Sequence, residues 1–259
     1  MTWLFSRENI WDKRSAKLLV DMSMQAERTF VLRARDTQSW TGALWKIFSW
    51  LIYIVTFGQQ WILNNRFYMA MGTTIWCPGT GDAFKTMSAR TRYTLIAHEC
   101  HHFSHRYLGD PDAIHREKLV LTAQPTSWLP PIKTARAPSW WWVATFNLRY
   151  MLFPFPVVFC TFRRNAEYHA YKRNMFVYIA DIMRDCQRIT EKEEFLEKLH
   201  QDESFQRDFR WIVEILSSSS YGWMFSASRA EDAVRGMMEE GWELYSLGEL
   251  NSLCEAYNE

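Results

Sequence analysis

The 259 residues carry a formal net charge of +1, with 30 Lys and Arg against 29 Asp and Glu, and 48% of them are hydrophobic. A chain of this length buries a substantial core, and its composition excludes a disordered or fibrous protein. The charge balance gives nucleic acid no electrostatic hold, so no nucleic-acid partner is expected.

Residues 8–35 space Ile10, Leu18, Leu19, Met22, Met24, Phe30 and Leu32 at helical intervals among charges, which predicts a first helix. The apolar stretch from Trp40 to Leu63 predicts a second, ended by Asn64-Asn65. Arg66–Cys77 is rich in aromatic and β-branched residues and closes on Pro78-Gly79, which predicts one strand or a pair of short ones. Residues 79–86 read as a loop. From Ser88 a helix is expected to run to Tyr107, where Gly109-Asp110-Pro111 stops it. Residues 108–160 hold seven of the eight prolines and read as irregular, with one strand near Lys118–Leu121. Helices are then predicted over Arg163–Ile189, 191–201, 204–217, 228–246 and Leu247–Tyr257, with Thr190 and Glu193 as a capping box. The expected fold class is α+β, mainly helical, with a small sheet.

Arg7, Glu8, Asp12, Lys13 and Arg14 deny the N-terminus the apolar core of a secretory signal. The five cysteines are scattered and lack Cys-x-x-Cys spacing, which argues against a disulfide framework and a thiolate metal site. A cytoplasmic location is expected. Fourteen Trp, 17 Phe and 11 Tyr exceed the needs of an ordinary core. Two readings stand side by side: a thick aromatic core, or peripheral contact with a membrane or protein assembly through segments 43–57 and 139–162. In the first segment the unbroken apolar run, Ile47–Phe57, is eleven residues, short of the roughly 20 that a spanning helix needs. Asn147, Arg149, Pro154 and Pro156 interrupt the second.

The chemistry concentrates in His98-Glu99-Cys100-His101-His102. Histidines four residues apart lie on one helix face, with Cβ atoms about 5–6 Å apart, and can pinch one ion. Neutral imidazoles suit zinc, whose catalytic sites use three protein ligands and keep one position open. Glu99 follows the first ligand directly, beside the metal rather than on it, where a carboxylate can serve as general base. His101 points about 60° away from His98. His105 lies about 10 Å along the axis from it, too far to share an ion. His115 lies beyond the helix. Cys100 faces away from the metal and reads as a small buried apolar residue.

The stretch TLIAHECHHFSH resembles the active-site helix of zincin metallopeptidases, and the preceding MGTTIWCPG resembles their edge strand. The resemblance covers residues 66–108 and 160–180. It implies one zincin-like domain over 1–259, with N-terminal helices over 1–63, a metal-site core over 64–180 and C-terminal helices over 181–259. It also implies that Thr73, Thr74, Ile75 and Trp76 hold an extended peptide as an added strand. The glycine and third histidine of the metzincin subgroup are absent, since His105 and Leu108 stand there. RRNAEYHAYKRN instead resembles the downstream Glu-x-x-Ala helix of gluzincins, which makes Glu167 the third zinc ligand and Ala170 the small residue that permits close helix packing. Those relatives place an Asp after the small residue; this chain has Tyr171, a candidate hydrogen-bond donor to a developing oxyanion. The expected function is zinc-dependent hydrolysis of a peptide or protein substrate, with His98, His102 and Glu167 on the metal and Glu99 catalytic. The alternative keeps the zinc in a non-catalytic module that docks on a membrane or larger assembly.

Overall fold

The computed structural model describes residues 10–34, 46–47, 50, 54, 68–79, 81–109, 139–151, 161–183, 186, 189–218, 225–248 and 250. The chain packs as two compact units, Met1–Pro154 and Phe155–Glu259. Among the described residues there are eight helices and one three-stranded sheet, so the fold is α+β and mainly helical.

The first unit opens on α1 (Ile10–Gln25), followed by β1 (Val31–Ala34). The single long helix expected over 8–35 is therefore broken. Glu27 takes a positive φ of 50°, which ends the helix. The Ser23 hydroxyl then accepts from the Phe30 amide at 3.0 Å, across the turn that leads into β1. Phe30 and Leu32, helical in spacing, are buried on the strand side of the break instead.

Strands β2 (Met69–Met71) and β3 (Thr74–Cys77) form the expected pair of short strands. Gly72, at φ 58°, turns between them in a conformation that costs a side chain more than it costs glycine. The sheet order is β1-β3-β2, with β3 parallel to β1 and antiparallel to β2. A short α2 (Asp82–Thr86) occupies part of the stretch read as a loop.

Next comes α3 (Ala89–Tyr107), bounded as the sequence predicts. The Ser88 side chain caps it by accepting from the Thr91 amide at 3.1 Å, and Gly109 at φ 72° closes it. Helix α1 lies along it with Leu18, Leu19 and Met22 buried. Phe30 packs on Phe103 at a ring-centroid distance of 4.4 Å, which seats the sheet end of the chain on the helix.

Helix α4 (Trp140–Met151) replaces part of the segment expected to be irregular. All seven of that segment's prolines lie outside these twelve residues, so nothing in them interrupts the backbone ladder. The Ser139 hydroxyl accepts from the Trp142 amide at 3.3 Å at the start of the helix. The second predicted helix lies outside the described residues except for Lys46, Ile47, Trp50 and Ile54, which are helical. The strand expected at Lys118–Leu121 lies wholly outside them.

The second unit is helical throughout its described residues: α5 (Thr161–Met183), α6 (Lys192–Gln201), α7 (Glu203–Ser217) and α8 (Ala227–Ser246). Its core includes Met175, Ile179, Phe195, Leu199, Ile212 and Met237, all fully buried. The capping box expected at Thr190 does not form. Helix α6 starts one residue later, with Glu191 as its cap and no side-chain cap bond. Of the last predicted helix, Leu250 is helical and 251–259 lie outside the described residues.

Gly241 of α8 faces α5 so closely that a Cβ there would stand 2.6 Å from Ile179 Cδ1. Replacing it with Ala is expected to destabilise the fold by about 1–3 kcal/mol through overpacking, despite the better helix propensity of Ala. Thermal unfolding of Gly241→Ala alone and combined with Ile179→Val checks this. The second change removes the clashing methyl, so the pair should be more stable than the sum of the single effects.

Candidate metal centre

The site is built on α3. His98 and His102, one turn apart, are buried, with ring centroids 5.1 Å apart and planes at 79°. Burial first, then the neighbouring His98, His101, Arg106 and His105, holds His102 well below the usual histidine range. It therefore stays neutral, with a lone pair to offer a cation. His101, which the helical wheel allows to face solvent, is buried at 1% exposure.

Among the described residues, one group of histidine, cysteine and carboxylate side chains gathers closely enough to hold a metal ion. It consists of His98, His102 and Glu167, all buried, with one ligand atom of each within 4.8 Å of the others. Two imidazoles and a carboxylate are the donor types a catalytic zinc takes. Glu167 lies on α5, with Ala170 fully buried one turn on.

Glu99 is buried at 6% exposure and is not part of that group. Arg106 lies two turns along α3 on the same face, and the negative charge of Glu99 acts on it. Burial still dominates and pulls the Arg106 guanidinium below its usual range. Its Nη1 donates to the Gly72 carbonyl at 3.0 Å and its Nη2 to the Ala70 carbonyl at 3.3 Å. This ties the metal helix to the β2–β3 hairpin. Cys100 is the small buried residue expected, and burial raises its thiol pKa far above the usual range, with the charge of Glu99 adding to the effect.

Helix α4 covers the later part of α3. The Trp142 indole donates to the His105 carbonyl at 3.2 Å, Phe146 lies edge-on to His105, and the Arg106 guanidinium sits 4.8 Å over the Phe146 ring. This packing brings Tyr150 edge-on to His102, at a centroid distance of 5.6 Å. Sequence reading did not single out Tyr150, because it lies in a stretch read as irregular. Its position four residues before Pro154 and amid aromatic residues hid a clean helical signal.

One expectation changes. Thr73–Trp76 cannot accept an added strand, because β3 is the central strand and its backbone is engaged by β1 on one side and β2 on the other. Thr73 sits in the hairpin turn, and its carbonyl accepts from the Val31 amide at 3.0 Å. Among the described residues the outer strands of the sheet are β1 and β2. Tyr171 is a core residue, 3% exposed and edge-on to Trp211 at 5.9 Å. His169 is half-buried on α5, and His115 lies outside the described residues.

No family model matches this chain, and no curated protein or solved structure matches it either.

Proposed function

We propose that the protein is a zinc-dependent peptidase, in which His98, His102 and Glu167 hold the metal and Glu99 is the general base. The single observation that supports this most is the approach of those three buried side chains to within 4.8 Å, with a fourth buried carboxylate, Glu99, one residue after the first histidine. A non-catalytic metal site has no use for that extra carboxylate.

When bound, zinc would supply Lewis acidity, lowering the pKa of water and polarising a carbonyl. The chain's own residues divide the rest of the work. His98 and His102 would each offer the ion a ring nitrogen, and burial keeps the His102 imidazole neutral. Glu99 takes a proton from the attacking water and later gives it to the leaving amine. Arg106, bonded to the carbonyls of Ala70 and Gly72, holds the helix that carries all three groups in one position against the hairpin. Tyr150 stands edge-on to His102 at a ring-centroid distance of 5.6 Å.

The test pairs metal analysis with a peptide-library digest followed by mass spectrometry. The wild type is expected to bind one zinc per chain and to cleave peptides. His102→Ala and Glu167→Gln are each expected to weaken zinc binding at least about tenfold. Stoichiometric zinc with no cleavage of any library peptide would leave a metal-binding module and sink the peptidase reading.

A further inference from the structure

The charge of the chain is unevenly spread. Residues 37–81 hold Lys46 and Arg66 and no Asp or Glu, and residues 118–154 hold Lys118, Lys133, Arg136 and Arg149 and again no acid. These two stretches also carry nine of the fourteen tryptophans. Since the whole chain has a net charge of only +1, the acids that balance those six cations lie elsewhere in it. Both stretches belong to the first unit.

Where the structure describes these stretches, it leaves large apolar side chains in water. Ile47, Trp50 and Ile54 are 59%, 54% and 63% exposed. The backbone of each is helical, and the spacing i, i+3 and i+7 is that of one face of a helix. At the start of α4, Trp140 and Trp141 are 67% and 62% exposed and stack on each other at 4.1 Å. Exposed apolar residues that cluster by face, rather than scatter, mark contact surfaces. Among the described residues no helix is long and apolar enough to cross a membrane.

We propose that the first unit docks on an anionic lipid surface, inserting the Trp50 face and the Trp140–Trp141 pair at the headgroup level. Two features choose lipid over protein as the occupant. Indole rings favour the membrane–water boundary, where the ring body and the N–H are both accommodated. Both aromatic clusters lie in stretches of sequence that carry cations and no acid, a charge pattern that complements a negatively charged leaflet. Docking of this kind is independent of the metal and of any hydrolysis.

The full chain is tested by co-sedimentation with vesicles of phosphatidylcholine alone or with about one third phosphatidylserine. Binding is expected to the anionic vesicles, with a blue-shifted tryptophan emission. It should weaken severalfold when salt rises from about 0.1 M to about 0.5 M. Trp140→Ala with Trp141→Ala, and separately Trp50→Ala, should each weaken binding at least about threefold, and together by more than about tenfold. Leu247→Ala, which removes an exposed apolar residue of the second unit, should leave binding unchanged. No partition onto anionic vesicles, or binding indifferent to the tryptophan variants, overturns the proposal. So does a stable homodimer in sedimentation equilibrium that the same tryptophan variants dissociate, since the faces would then pair with each other.

Discussion

Glu99→Gln should retain zinc and lose about 10²–10⁴-fold in kcat, with a much smaller change in KM. The amide is nearly isosteric with the carboxylate, so the buried position of Glu99 on α3 is filled and the helix is undisturbed. What disappears is the ability to take a proton. Because Glu99 is outside the group of potential ligands, metal content should stay stoichiometric while turnover falls. Zinc analysis of the variant beside single-turnover peptide hydrolysis checks both halves. If zinc leaves with the carboxylate, Glu99 is a ligand and the division of labour proposed for α3 is wrong. If hydrolysis survives at the wild-type rate, another group is the base. Tyr150 is separable from both outcomes: Tyr150→Phe keeps the ring against His102 and removes only the hydroxyl.

Asp12→Asn should cost about 3–5 kcal/mol of stability, lowering Tm by on the order of 10 °C. Asp12 is fully buried on α1, and the Arg92 guanidinium of α3 meets it as a fork, Nε on Oδ1 at 2.9 Å and Nη2 on Oδ2 at 2.8 Å. The remaining Arg92 nitrogen, Nη1, donates to the carbonyls of Lys85 and Met87 at 3.1 and 2.7 Å. One side chain therefore fastens the first helix and the segment around α2 to the start of the metal helix. Removing only the carboxylate charge leaves a buried guanidinium without its counterion, which is the expensive half of breaking such a pair. Asp12→Leu combined with Arg92→Met should regain most of the loss, since two apolar groups need no desolvated partner. Thermal melts of the three proteins decide this. Equal losses in the single and double variants would mean that the carbonyl bonds, rather than the ion pair, carry the stability.

Both predictions start from α3, and α3 was the most legible element in the sequence. Ser88 and Gly109 mark its ends through local backbone chemistry, and the four-residue step from His98 to His102 follows from helical periodicity alone. The hairpin of β2 and β3 was legible for the same reason, because the aromatic and β-branched run and the Pro78-Gly79 that closes it act over a few residues. Glu167 was reached through resemblance rather than periodicity.

What the sequence alone determined about this protein is thus everything carried by neighbours within a turn or two: the histidine pair, the carboxylate beside it, the helix beneath them, and the acid-free aromatic stretches. What only the tertiary structure decided depends on partners far along the chain. Strand β1 lies some forty residues before β3, and its pairing makes β3 central and denies it an open edge. Asp12 finds Arg92 eighty residues away, Tyr150 finds His102, and Tyr171 goes to Trp211 and into a core. The physical reason is one of range. Helix caps, turns and side-chain periodicity are set by short-range backbone geometry. Pairing, burial and pKa are set by which surfaces meet once loop-closure entropy has been overcome, and no local pattern encodes that choice.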